Sequence, residues 1–99
     1  MTRSPYDWNK SKRQRNLAKH GLDFADAALV LDSPIRLDVE SVRKGEHRLQ
    51  SFAYVFERLA ALTVVYLPGA RPHIISFRPA SREERETYHD WLENEFEED

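Results

Sequence analysis

Cysteine is absent from the chain, which excludes disulfides and thiolate-held metals and fits a reducing compartment. Long apolar runs are absent too: the longest, Leu59 to Leu67, is far too short to span a bilayer. The opening Met-Thr-Arg-Ser-Pro-Tyr-Asp-Trp lacks the apolar centre of a signal peptide, so a soluble cytoplasmic protein without membrane contact is expected. No pair of histidines or carboxylates stands at a ligand-like spacing, so neither a metal nor a cofactor is expected. Repeats and low-complexity linkers are missing, and 99 residues suffice for one modest core but not two. Acidic residues are missing from positions 10–19, where Lys10, Lys12, Arg13, Arg15 and Lys19 all fall.

What is present is unevenly charged. The formal net charge is −2, yet the last ten residues hold six acids and no base. Without those six, residues 1–89 carry +4. A basic body therefore ends in an acidic tail, and the expected division is a domain over 1–92 and a tail over 93–99.

Hydrophobic periodicity predicts the elements. Asn9 reads as the N-cap of a helix to about His20, and Gly21 as its left-handed stop. Only Leu17 and Ala18 are apolar there, so this helix should be mostly wet. Asp23 caps a second, more apolar helix from Phe24 to about Leu31, expected to lie against a sheet and ended by Pro34. From Ile35 the period changes to two, with Ile35, Leu37 and Val39 alternating with Arg36, Asp38 and Glu40. Further strands are predicted over Glu46 to Phe56, Leu59 to Leu67 and His73 to Arg78, with Leu59 to Leu67 central and covered on both faces. Ser81–Arg82–Glu83–Glu84 has capping-box spacing, and Tyr88, Trp91, Leu92 and Phe96 form the stripe of a last helix that should fray after about Glu95. The order defines an α+β domain: N-terminal helices on a small antiparallel sheet, plus a C-terminal helix.

Several residues suit phosphate chemistry. His20 is a proton carrier near neutrality at the end of a cationic helix. Strand alternation puts Glu46 and Arg48 on one face, and Ser76 and Arg78 likewise share one. Metal-free RNA cleavage needs a base for the 2′-OH, cations for the phosphorane, and an acid for the leaving 5′-oxygen. Plainer roles fit the same residues: His20 as a helix-end cation, Glu46 and Arg48 as a strand pair, and the lysines as a solvated face. His47, His73 and His89 look peripheral, and Arg82 and Arg85 flank the first turn of the last helix.

Several ordered motifs together resemble the BrnT family of bacterial type II toxins, which are RelE-like ribonucleases paired with a BrnA antitoxin. They are Tyr6–Asp7–Trp8–Asn9 with Lys12; Asn16, Lys19, His20 and Gly21 followed by Phe24 and Ala27; Gly45–Glu46–His47–Arg48; Val64–Val65–Tyr66; and Ile75–Ser76–Phe77–Arg78–Pro79–Ala80 with Glu84–Arg85. The resemblance implies a RelE-like fold, cleavage of mRNA, and arrest of translation. It also implies neutralisation by a BrnA-like antitoxin, through which alone DNA is contacted, and a toxin dimer within a heterotetramer. By position it implies His20, Glu46, Arg48 and Arg78 as the catalytic set, with His20 and Glu46 as acid–base partners. Lys12, Lys19 and Arg82 follow as RNA-binding residues. The competing expectation is a non-catalytic module that keeps the fold and only binds RNA or a partner. A DNA-binding regulator fits less well, because the segment after the basic helix is too apolar to enter a groove.

Overall fold

A computed structural model describes residues 4–96 of the chain. Its sheet has five strands in the order β1-β5-β4-β3-β2: β1 (Asp7–Trp8), β2 (Leu37–Arg43), β3 (Glu46–Val55), β4 (Ala60–Leu67) and β5 (His73–Pro79). The helices are α1 (Lys10–His20), α2 (Ala28–Leu31) and α3 (Arg82–Phe96), with a 3-10 turn at Phe24–Asp26. The α+β class is as expected from sequence, but the sheet is mixed rather than purely antiparallel. The two-residue β1 runs parallel to β5, pairing Asp7 with His73 and Trp8 with Ile74. A strand this short has no alternation to reveal it.

Local chemistry explains most boundaries. The Asn9 side chain accepts the Lys12 amide at 3.1 Å, and Gly21 at φ 70° sends its N–H to the Leu17 carbonyl at 2.8 Å, so α1 starts and stops where its caps dictate. The second helix is split. A 3-10 first turn, capped by Asp23 on the Ala25 amide, turns Phe24 and Ala27 inward together, and a single α-turn then buries Val30 and Leu31. Lys44 (φ 52°) and Gly45 (φ 76°) form the two-residue connection of the β2–β3 hairpin, which pairs Arg43 with Glu46. Leu59 takes φ 53° in the β3–β4 turn and is 78% exposed, so the apolar run enters the sheet one residue later than predicted. Ile35 stays outside β2 because its carbonyl accepts the Tyr88 hydroxyl at 2.7 Å.

β4 is the middle strand and buries Leu62 through Tyr66 without interruption. On one face Leu62, Val64 and Tyr66 join Ala53, Val55, Ile74 and Phe77 beneath Phe24, Ala27, Val30 and Leu31. Full burial of side chains such as Phe24 and Phe77 is worth roughly 1.5–3 kcal/mol each. The opposite face is partly covered by α3, whose Tyr88 hydroxyl also accepts the Tyr54 amide at 3.1 Å. Polar groups inside are paired: Ser51 bonds Asp38 at 2.6 Å and Tyr66 at 2.9 Å, and Thr63 donates to Glu84 at 3.0 Å. α3 continues past the expected boundary at 92 to Phe96, and residues 97–99 of the predicted tail lie outside the described residues.

Candidate active site

α1 meets the sheet without a buried apolar residue. Its half-buried positions are Arg13, Asn16 and His20, at the spacing of a single helix face, while the rest of the helix is exposed. Each of the three faces a polar target. Arg13 grips Asp23 through Nε at 2.7 Å and Nη2 at 2.9 Å, and its guanidinium lies 5.1 Å from the centre of the Trp8 ring. Asn16 bonds the backbone of Phe77 in β5. His20, one turn further, comes within the field of Arg78.

The imidazole of His20 is held below its ordinary pKa, first by burial, then by the Lys19 and Arg78 charges. The shift favours the neutral imidazole, the form that can accept a proton, and the Lys19 and Arg78 charges lie within its field. Arg78 is itself tied down. Its guanidinium makes a two-pronged pair with Glu84, Nη1 at 2.7 Å and Nη2 at 2.9 Å, and that pairing raises its pKa despite burial. Burial pushes the Glu84 carboxyl up, but hydrogen bonds from Arg78, the Ser81 amide and Thr63, with the Arg78 charge, bring it down to about 2. Glu84 and Ser81 exchange the two bonds of the capping box, at 2.8 and 3.1 Å, so the start of α3 is locked to Arg78.

Glu46 and Arg48 form a second pair at the opposite end of the sheet, with Arg48 Nη2 2.8 Å from Glu46 Oε1. Strand alternation puts Glu46 and Arg48 on one face, and the register, which aligns Phe52 with Thr63 and Thr63 with Arg78, adds Arg78 to that face. The same register places Arg48 about 13 Å along the strands and about 10 Å across them from Arg78, with Glu46 roughly 7 Å further on. The structure therefore puts His20 within the field of Arg78, and Glu46 and Arg48 in direct contact. It does not bring Glu46 to His20: α1 follows β5 with its C-terminus toward Arg78, whereas Glu46 sits at the far hairpin.

Lys12 and Lys19 are exposed on α1, with Arg15 adding to the same cationic helix. Arg82 is exposed on the first turn of α3 and shares a 3.3 Å pair with Glu86. Two contributors went unassigned from sequence. Glu84 reads there only as a cap and as part of a motif, although its spacing from Arg78 was visible. Asn16 reads only as part of a motif, because a residue 61 positions from its partner leaves no periodic trace. His73, read as peripheral, sits on this face with Nδ1 2.7 Å from Asp7 Oδ2. Among the described residues no cluster of three His, Asp or Glu is placed to hold a metal ion.

In this small α+β domain His20 lies within the field of Arg78 and a cationic helix runs along the same edge, an arrangement whose charge suits a polyanion. Residues 8–84 match the model of the family described as "Ribonuclease toxin, BrnT, of type II toxin-antitoxin system", and the chain belongs to that family. Membership makes it a ribonuclease toxin and implies an antitoxin partner. No curated protein sequence matches the chain. No helix among the described residues is long and apolar enough to cross a membrane.

Proposed function

We propose that the chain is a metal-independent endoribonuclease that cuts mRNA and so inhibits translation in the cytoplasm, with a BrnA-like antitoxin as its neutralising partner. The observation that carries this reading is the half-buried His20 at the end of α1, within the field of Arg78 and with its pKa lowered chiefly by burial. His20 takes the proton from a ribose 2′-OH, and the freed oxygen attacks the adjacent phosphorus. As that P–O bond forms, the P–O5′ bond breaks, leaving a 2′,3′-cyclic phosphate and a 5′-OH. The imidazolium formed in the first step is the nearest acid for O5′.

Arg78 stabilises the phosphorane. Its two bonds to Glu84 leave further N–H donors of the guanidinium for phosphate oxygens. Arg48, held by Glu46 on the same face, binds a neighbouring phosphate, since the spacing of the two arginines exceeds the reach of one. Glu46 thus acts through Arg48 instead of exchanging a proton with His20. Lys12, Lys19 and Arg82 supply backbone contacts along the cationic edge. The same proposal takes the fold as RelE-like, with residues 1–92 as the toxin domain and 93–99 as an acidic tail. Toxin and antitoxin form a heterotetramer with two toxin copies, and DNA is met only through the antitoxin.

The test is cleavage of a defined RNA by purified protein in EDTA, beside His20→Ala. Cyclic phosphate ends, lost at least about 10²-fold in the variant, are expected for a general base of this kind. Undiminished cutting by His20→Ala would remove that residue from the mechanism. Absence of cutting by the folded parent, with or without translating ribosomes, would leave only the RNA-binding reading.

A further inference from the structure

β1 pairs with β5 only at His73 and Ile74, so further along its outer edge β5 has no strand beside it among the described residues. At Phe77 that edge is occupied by a side chain. Asn16 Nδ2 donates to the Phe77 carbonyl at 2.7 Å, and the Phe77 amide donates to Asn16 Oδ1 at 3.2 Å. One carboxamide thus presents to β5 the donor and acceptor that a neighbouring strand would present. Nδ2 also donates to the Leu22 carbonyl at 2.9 Å, just past the Gly21 stop of α1.

These three bonds bracket the candidate site. His20 is four residues beyond Asn16 on the same helix face, and it lies between Asn16 and the second anchor at Leu22. Arg78 follows Phe77 directly in β5. Elsewhere the inward face of α1 contributes Arg13, whose contacts go to Asp23 and Trp8 and not to β5. No residue of α1 is buried, so packing of buried apolar side chains does not set its height along the strand. A polar clamp is left to do so, and its hydrogen bonds are directional where apolar contacts are not.

We infer that Asn16 is a positioning residue that fixes the spacing between His20 and Arg78 by standing in for a strand at the edge of β5. The inference rests on the reading of His20 and Arg78 as the catalytic pair, and it adds the element that assembles them. Asn16 touches no substrate. Its loss lets α1 slide or rotate against β5, so His20 leaves the field of Arg78 while the cationic residues of α1 stay exposed.

The experiment uses the full chain with Asn16→Ala and Asn16→Ser, the second keeping a small donor in case the first does not fold. Cleavage of a defined RNA should lose kcat by about 10²-fold, the cost of roughly 1 Å of misplacement, with KM changed less than about twofold. In RNA-free protein, the His20 imidazole followed by NMR should titrate closer to its ordinary value, because it has lost burial against the sheet edge and moved away from Arg78. Asn16→Ser should fall between parent and Asn16→Ala in both readouts. A lower Tm with unaltered kcat and His20 titration would make Asn16 structural only and overturn the inference. The titration keeps the two readings apart. If His20→Ala cuts as fast as the parent, the catalytic assignment fails, while an Asn16 variant that moves the His20 titration still places the clamp between His20 and Arg78.

Discussion

Glu84→Gln is the perturbation whose size follows most directly from the structure. The Glu84 side chain is 14% exposed, bonded twice to Arg78, and also accepts from Thr63 and the Ser81 amide. A carboxyl held at about 2 instead of its ordinary 4.5 contributes on the order of 3 kcal/mol to folding at neutral pH. Its folded pKa is the lower one, so that contribution is complete above the unfolded carboxyl's range and drains away as pH falls from about 5 toward 2. Glutamine keeps an acceptor for Ser81 and Thr63 but leaves Arg78 half-buried without a counter-charge. At pH 7 the variant should lose about 2–3 kcal/mol, lowering Tm by roughly 10–20 °C for a domain of this size. Urea unfolding followed by tryptophan fluorescence, repeated between pH 3 and 7, reads both quantities. The gap between parent and variant should narrow to about a third at pH 3, because the parent has by then lost most of the same contribution. A gap as wide at pH 3 as at pH 7 would show that the charge of Glu84 is not what holds this corner together.

Three further outcomes are expected. Because burial, Lys19 and Arg78 hold His20 below its ordinary value, the acidic limb of kcat/KM for RNA cleavage should fall below pH 6.5; a limb at or above 6.5 would contradict its role as base. Tyr88→Phe removes the hydroxyl that joins the Tyr54 amide to the Ile35 carbonyl, and should cost about 1–3 kcal/mol in chemical denaturation by leaving partly buried backbone unpaired. Gly21→Ala meets open space but forces a side chain to φ 70°, so a loss of about 1 kcal/mol from backbone strain is expected; an unchanged Tm would show that the turn relaxes.

Chain composition and order were enough for much of the architecture because most of it is local. Asn9 and Gly21 bound α1 through bonds within one helical turn, and the capping box starts α3 the same way. The apolar run ending at Leu67 reads as a central strand because only a strand covered on both faces can bury consecutive residues, and β4 does so from Leu62 to Tyr66. The common face of Glu46, Arg48 and Arg78 follows from strand parity and needed only the register to complete it. The motifs around His20, Glu46 and Arg78 likewise pointed to the family that the match over 8–84 establishes.

Distances across the sheet were decided by the tertiary structure alone. Parity says which face a side chain takes but not how far along a neighbouring strand its counterpart falls, and that offset separates Glu46 from His20. The two-residue β1 exists because β5 offers an edge, and no periodicity in Asp7–Trp8 announces it. α1 shows the same division at the level of single residues. Its sequence specifies a helix with caps at both ends and almost nothing apolar to dock. That Arg13, Asn16 and His20 form its inner face, with Asn16 bonded to the backbone of a strand 61 residues away in the chain, depends on the sheet brought alongside. Directional polar contacts of that kind leave no mark in hydrophobic patterning, and so they became legible only once the chain had folded.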